Sequence, residues 1–128
     1  MKVQHYKELI VWQKSMKLVV SIYELTEQFP KSEVYGLTSQ MRRAAISIPS
    51  NVAEGSRRGS RKDFRHFLIN AFGSGAELET QIEIAKRLPF SKKLDYSAVD
   101  ILLDEVMRML NKMASNLQST HYSLQTTH

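Results

Sequence analysis

The chain has no cysteine, which excludes disulfides and thiolate metal sites and predicts a reducing, cytoplasmic environment. Glycine and proline are scarce, with 5 and 3 copies in 128 residues, which argues against a turn-rich all-β fold and favours long helices. No apolar run approaches the roughly 20 residues of a membrane span, and the N-terminus lacks a signal-peptide core. With 42% hydrophobic and 24% charged residues, the chain has the composition of one globular domain.

Apolar residues recur every three to four positions in four segments, as in amphipathic helices. The first segment covers residues 9–29. Ser32 is the expected N-cap of the second helix, whose period continues through Pro49. We interpret Pro49 as a kink within one helix, and a break at this proline is the competing interpretation. Gly55 or Gly59 is expected to end the helix.

The third helix is predicted to begin at Ser60, because Ser60 and Asp63 have the spacing of a capping box. Gly73 and Gly75 fall inside this helix, where each costs about 1 kcal/mol relative to alanine. Glycines at such positions usually mark the close approach of another backbone, so both are expected to face a neighbouring helix.

The fourth helix is predicted to begin at Ser91 or Ser97 and to end near Leu117. Short links between the four helices favour an all-α, antiparallel up-down-up-down four-helix bundle. We expect residues 1–118 to form this single domain and residues 119–128 to be a disordered tail. The residues expected in or near the core are Trp12, Leu68, Leu78 and Val106.

The net charge of +5 comes from one window, residues 42–65, because the remaining acidic and basic side chains balance. Its basic members are Arg42, Arg43, Arg57, Arg58, Arg61, Lys62 and Arg65. A concentrated cationic segment on a neutral body predicts contact with an anion, and the phosphate backbone of nucleic acid, RNA above all, is the favoured partner. The alternative is a solvated surface that only keeps the protein soluble. The window has no tyrosine or tryptophan, so base stacking is not predicted.

A polar stripe runs beside the apolar faces of the second and third helices. Its members are Ser47, Asn51, Glu54, Asn70, Ser74, Glu77 and Gln81. Two antiparallel helices would bring these side chains together, and buried polar groups need complete hydrogen bonding. We favour an interface between helices or subunits, with a catalytic or ligand site as the alternative.

Enzyme and cofactor motifs are sparse. No histidine has metal-ligand spacing and no glycine-rich loop has phosphate-loop spacing, so no metal, cofactor or small-molecule substrate is expected. Arg61 and His66 match the Arg-x4-His pattern of HEPN ribonucleases, although Lys62 stands where a polar Asn or Asp is usual. A non-enzymatic protein is the preferred interpretation, and a HEPN-like ribonuclease is the weakest alternative.

The order of several strings resembles that of a known bacterial family. These strings are Val11-Trp12-Gln13, Phe29-Pro30, Tyr35-Gly36-Leu37, Arg42-Arg43-Ala44-Ala45, Asn51-x-Ala53-Glu54-Gly55 and Gly73-Ser74. The chain is similar over about residues 6–118 to the 23S rRNA-intervening sequence (S23 ribosomal) proteins. It is more distantly similar to the accessory protein of diversity-generating retroelements.

This resemblance implies an antiparallel four-helix bundle that assembles into a homopentamer. It implies no established enzymatic activity. The function expected from residues and resemblance together is an oligomeric, non-enzymatic protein that binds nucleic acid through its basic surface. A scaffold that binds a protein partner is the alternative.

Overall fold

Four long helices form the molecule. The computed structural model describes residues 5–126, with side chains described for residues 5–117. The helices are α1 (Ile10–Thr26), α2 (Leu37–Arg58), α3 (Arg61–Ala85) and α4 (Ser97–Thr126). Short 3₁₀ helices at Tyr6–Glu8 and Lys31–Glu33 precede α1 and α2, and the described residues contain no strand. The predicted all-α class and the number of helices are confirmed.

Helices α2 and α3 form a hairpin around the two-residue link 59–60. The Oγ atoms of Ser47 on α2 and Ser74 on α3 lie 2.8 Å apart, so the two helices run back along each other from the link. Contacts along α3 and α4 run in opposite order as well. The Nε of Arg65 near the start of α3 donates to the carbonyl of Ala114, whereas Lys86 after its end pairs with Asp100 at the start of α4.

The core lies along the inner faces of all four helices. Leu68, Leu78 and Val106 have no exposed surface, as predicted. Trp12 is half-buried and packs against the edge of the core. Burying each large aliphatic side chain stabilises the fold by about 1.5–3 kcal/mol, so these residues fix the packing that positions the surface.

Pro49, Gly59 and Ser60 have the structural roles that the sequence predicts for them in α2 and α3. Pro49 lies inside α2 as a member of one continuous helix. The helix ends at Gly59, whose φ of 85° is in the left-handed region that glycine adopts without strain. The hydroxyl of Ser60 then accepts the N–H of Asp63 at 3.0 Å and caps α3.

The prediction that Ser32 caps the second helix is wrong. Ser32 lies in the 3₁₀ helix Lys31–Glu33, and α2 begins five residues later at Leu37. The carboxylate of Glu33 accepts the N–H of Leu37 at 3.3 Å. Glu33, and not Ser32, therefore supplies a hydrogen-bond acceptor for the N-terminus of α2.

Two further expectations were wrong in part. Gly75 does face a neighbouring helix, since an added Cβ would collide with Met107 of α4, but a Cβ at Gly73 would meet no atom within 4 Å. Helix α4 begins at Ser97, one of the two predicted positions, yet continues past Leu117 to Thr126. Residues 119–126 of the expected tail thus belong to the helix, and residues 127 and 128 lie outside the described range.

The apolar face of α1 is wider than the core that it covers. Leu18 and Ile22 are fully buried, whereas Ile10 and Val20 are 58% and 57% exposed. The apolar surface of α1 therefore extends beyond the core, and we call the part around Val20 and Tyr23 its exposed flank. None of the helices in the described part of the chain is long and apolar enough to cross a membrane.

Candidate nucleic-acid interface

Four basic side chains meet where α2 turns into α3, and we call this group the cationic pole. Arg57 and Arg58 occupy the last turn of α2, while Arg61 and Lys62 occupy the first turn of α3. The left-handed conformation of Gly59 reverses the chain between the two pairs. All four side chains are exposed, so the local turn concentrates four positive charges at one end of the bundle.

The two arginines of α2 are held by neighbours. Arg58 donates to the carboxylate of Glu54 at 2.8 Å, and its guanidinium lies 5.0 Å from the ring centroid of Phe67. The hydrogen bond to Glu54 raises the pKa of Arg58. Arg57 lies 5.4 Å from the ring centroid of Tyr6. Both guanidinium groups are thus oriented while remaining open to solvent, as cations that stack on aromatic rings commonly are.

Arg61 and Lys62 carry positive charge in the first turn of α3, where a positive charge is unfavourable. The N-terminus of a helix carries partial positive charge, which favours acidic side chains such as Asp63 and disfavours cations. Helix stability therefore does not account for these two residues. An anion bound at the cationic pole would be attracted by both side chains and by the end of the helix together.

Arg65 does not belong to the cationic pole, although it is part of the same basic window of the sequence as Arg61. It is half-buried, and its Nε donates to the carbonyl of Ala114 at 3.2 Å. It also lines a cleft of about 230 Å³ between α3 and α4 with Phe72 and Asn111. The position of α4 turns this cation towards the bundle.

Arg42 and Arg43 are also separated from the cationic pole. Arg42 lies sixteen positions before Arg58 on α2, which is about 24 Å along the helix axis. Arg42 donates to Thr26 Oγ1 at 2.9 Å and lies 4.3 Å from the ring centroid of Tyr23. It therefore joins α2 to the end of α1, whereas Arg43 is exposed on α2.

Three members of the polar stripe meet between α2 and α3. Ser47 and Ser74 share a hydrogen bond of 2.8 Å, and Asn51 Nδ2 donates to Ser47 Oγ at 3.0 Å. All three are half-buried. The stripe thus supplies a hydrogen-bonded contact between two helices of the same chain.

The other members of the stripe bond within their own helices. Glu54 pairs with Arg58, and Asn70 lies 3.5 Å from the ring of His66. Gln81 Nε2 donates to Glu77 at 3.3 Å. The Oε1 of Gln81 is buried and has no hydrogen-bond partner among the described residues. These four stripe residues, Glu54, Asn70, Glu77 and Gln81, are not gathered into one site.

The two residues of the ribonuclease pattern, Arg61 and His66, lie in the first two turns of α3. Residues five apart on a helix are rotated by about 140° from each other, so Arg61 and His66 project in divergent directions. His66 is exposed, and its ring contacts Phe67 and Asn70 on the same helix. The described residues contain no group of three or more metal-ligating side chains.

Sequence reasoning missed an aromatic cluster beside the cationic pole. The 3₁₀ helix Tyr6–Glu8 packs against α2 and brings Tyr6 next to Arg57, 51 positions away in the chain. The rings of Tyr6 and Trp12 meet edge to face with centroids 5.4 Å apart, and His5 lies 4.7 Å from Tyr6. No local pattern pointed to this contact, because it depends on how α1 and α2 pack.

Comparisons with known proteins agree with the four-helix fold. The family model of the 23S rRNA-intervening sequence protein matches residues 7–112. A solved protein of unknown function from the S23 ribosomal protein family of Bacteroides thetaiotaomicron VPI-5482 superposes with a TM-score of 0.71 at 23% identity. The match covers 82% of this chain and 98% of that one, and it supports the fold. No protein with curated function matches.

Proposed function

Because the chain belongs to the 23S rRNA-intervening sequence protein family, we propose that it is a non-enzymatic, homo-oligomeric protein of the cytoplasm that binds RNA through the cationic pole. The observation that carries this proposal is the exposure of Arg57, Arg58, Arg61 and Lys62 at one end of a bundle, because these four residues carry all but one unit of the net charge of +5. Phosphate contacts by such side chains release counterions, which makes binding sensitive to salt.

The test is the salt dependence of binding to a labelled RNA hairpin. The triple variant Arg58→Gln, Arg61→Gln, Lys62→Gln removes three charges of the cationic pole. If all three contact phosphates, the slope of log K against log salt should flatten by about 2–3, since each contact contributes roughly 0.7–0.9. Circular dichroism should show unchanged helix content, because all three side chains are exposed.

A matched control changes the net charge equally at the opposite end of the bundle. Lys31, Lys92 and Lys93 are exposed in the α1–α2 and α3–α4 connections. Their replacement by glutamine should leave the slope close to that of the unmodified protein. Equal slopes for all three proteins, or binding that ignores salt, would refute phosphate recognition by the cationic pole and favour a protein partner.

The oligomer, which we expect to be a pentamer from the family resemblance, is supported by the exposed flank of α1. Val20 lies on this flank one turn before Tyr23, and the two side chains are 57% and 39% exposed. Exposed apolar patches commonly mark protein interfaces. Light scattering should give five times the chain mass of 14.7 kDa, and a stable monomer at micromolar concentration would contradict the expectation.

The absence of enzymatic activity is tested directly with the same RNA. Incubation should leave the hairpin intact. Cleavage that disappears in the variant His66→Ala, with binding retained, would establish a ribonuclease instead.

A further inference from the structure

The aromatic cluster beside the cationic pole lines a cleft that the proposed phosphate contacts do not use. The cleft has a volume of about 300 Å³ and lies between the 3₁₀ helix Tyr6–Glu8, α1 and α2. Tyr6 and Trp12 form its aromatic side, and its apolar floor includes Met16, Ile46 and Pro49. Met16 and Ile46 are 40% and 42% exposed, so the floor is open to solvent.

We propose that this cleft binds an unpaired base of single-stranded RNA, an inference that rests on the proposed RNA-binding function. The ring planes of Tyr6 and Trp12 are inclined by 67°. A base that lies flat against one ring therefore meets the edge of the other, which are the two favourable arrangements of aromatic pairs. The apolar residues of the floor would contact the remaining edge of the base, and such contacts give no preference for one base over another.

The charge beside the cleft selects a nucleotide over a purely apolar occupant. Arg57 lies 5.4 Å from the ring centroid of Tyr6, and Arg58 follows it in the same turn of α2. A base in the cleft would thus carry its phosphates towards the cationic pole. An aromatic platform beside a cationic groove is the arrangement by which proteins bind single strands with little sequence preference.

The experiment compares three RNA probes with the same number of phosphates at one salt concentration. These are a single-stranded oligonucleotide, its abasic counterpart and a blunt-ended duplex. The protein should bind the single strand most tightly. Because Trp12 is the only tryptophan and lies 5.4 Å from Tyr6, its fluorescence should change with the single strand but not with the other two probes.

Variants of Tyr6 separate stacking from packing. Tyr6→Leu keeps an apolar side chain but removes the ring and should weaken single-strand binding by about 5- to 150-fold, the range of one lost base-stacking contact. Tyr6→Phe keeps the ring and should bind like the unmodified protein. Duplex affinity and the salt slope should be the same for both variants.

The outcomes distinguish this inference from the proposed function. If no probe binds, the proposed function fails and the cleft has no RNA ligand. If single strand and duplex bind equally and Tyr6→Leu changes neither, the protein binds RNA but the base site is refuted. Trp12 emission that changes with protein dilution, and not with RNA, would assign the cleft to a second copy of the chain and would also overturn the inference.

Discussion

Gly55 lies where α2 packs closely on α3, and its replacement by alanine tests that packing. An added Cβ would lie 2.7 Å from the Cβ of Phe67 and 3.2 Å from Cδ1 of Phe64. The Cβ of Phe67 is attached to the backbone and cannot rotate away. Relief therefore requires the helices to separate by roughly 1 Å, towards the 3.5–4.0 Å of a favourable carbon contact.

The expected magnitude combines two opposing effects. Alanine gains about 1 kcal/mol over glycine inside a helix, whereas overpacking a close contact costs about 1–3 kcal/mol. Gly73→Ala is the matched control, because its Cβ would meet nothing within 4 Å and should only stabilise. The difference between the two variants isolates the packing effect, so Gly55→Ala should be about 1–3 kcal/mol less stable than Gly73→Ala.

The assay is denaturant unfolding followed by circular dichroism, at one protein concentration for all variants. A shifted midpoint with an unchanged slope would report a change in stability alone. If Gly55→Ala is as stabilising as Gly73→Ala, the close approach of α2 and α3 at this position is refuted.

The remaining predictions concern charge, hydrogen bonding and burial. The hydrogen bond from Arg87 lowers the pKa of Glu83 below its ordinary value of 4.5. The ionised Glu83 therefore stabilises the fold above that value, and this stabilisation is lost as pH falls through the folded pKa. In thermal melts between pH 3 and 7, the melting temperature of Glu83→Gln should fall less on acidification than that of the unmodified protein, and equal falls would refute the pairing. For Ser47 and Ser74, a double-mutant cycle with alanine should give a coupling energy of about 0.5–1.5 kcal/mol in urea unfolding, and additive losses would contradict their hydrogen bond. Leu68→Ala should cost about 2–5 kcal/mol in the same assay, because its side chain is fully buried, and a near-neutral result would place it outside the core.

The cationic pole shows why the candidate site was only partly predictable. Arg61 and Arg65 lie one helical turn apart and looked equivalent in the sequence. Arg61 is exposed, whereas Arg65 reaches the carbonyl of Ala114 on α4. Sequence spacing gives the relative rotation of two side chains on one helix, but not the neighbour that each one meets.

The sequence by itself determined the local structure and the family. Apolar periodicity located the helices, and residues 59 and 60 set the α2–α3 turn, because left-handed glycine and serine capping depend on chemistry within a few residues. The tertiary structure decided which cations stay exposed, that Gly75 faces Met107 while Gly73 faces solvent, and that Tyr6 lies beside Arg57. These contacts join distant parts of the chain, and their register follows from the packing of all four helices together.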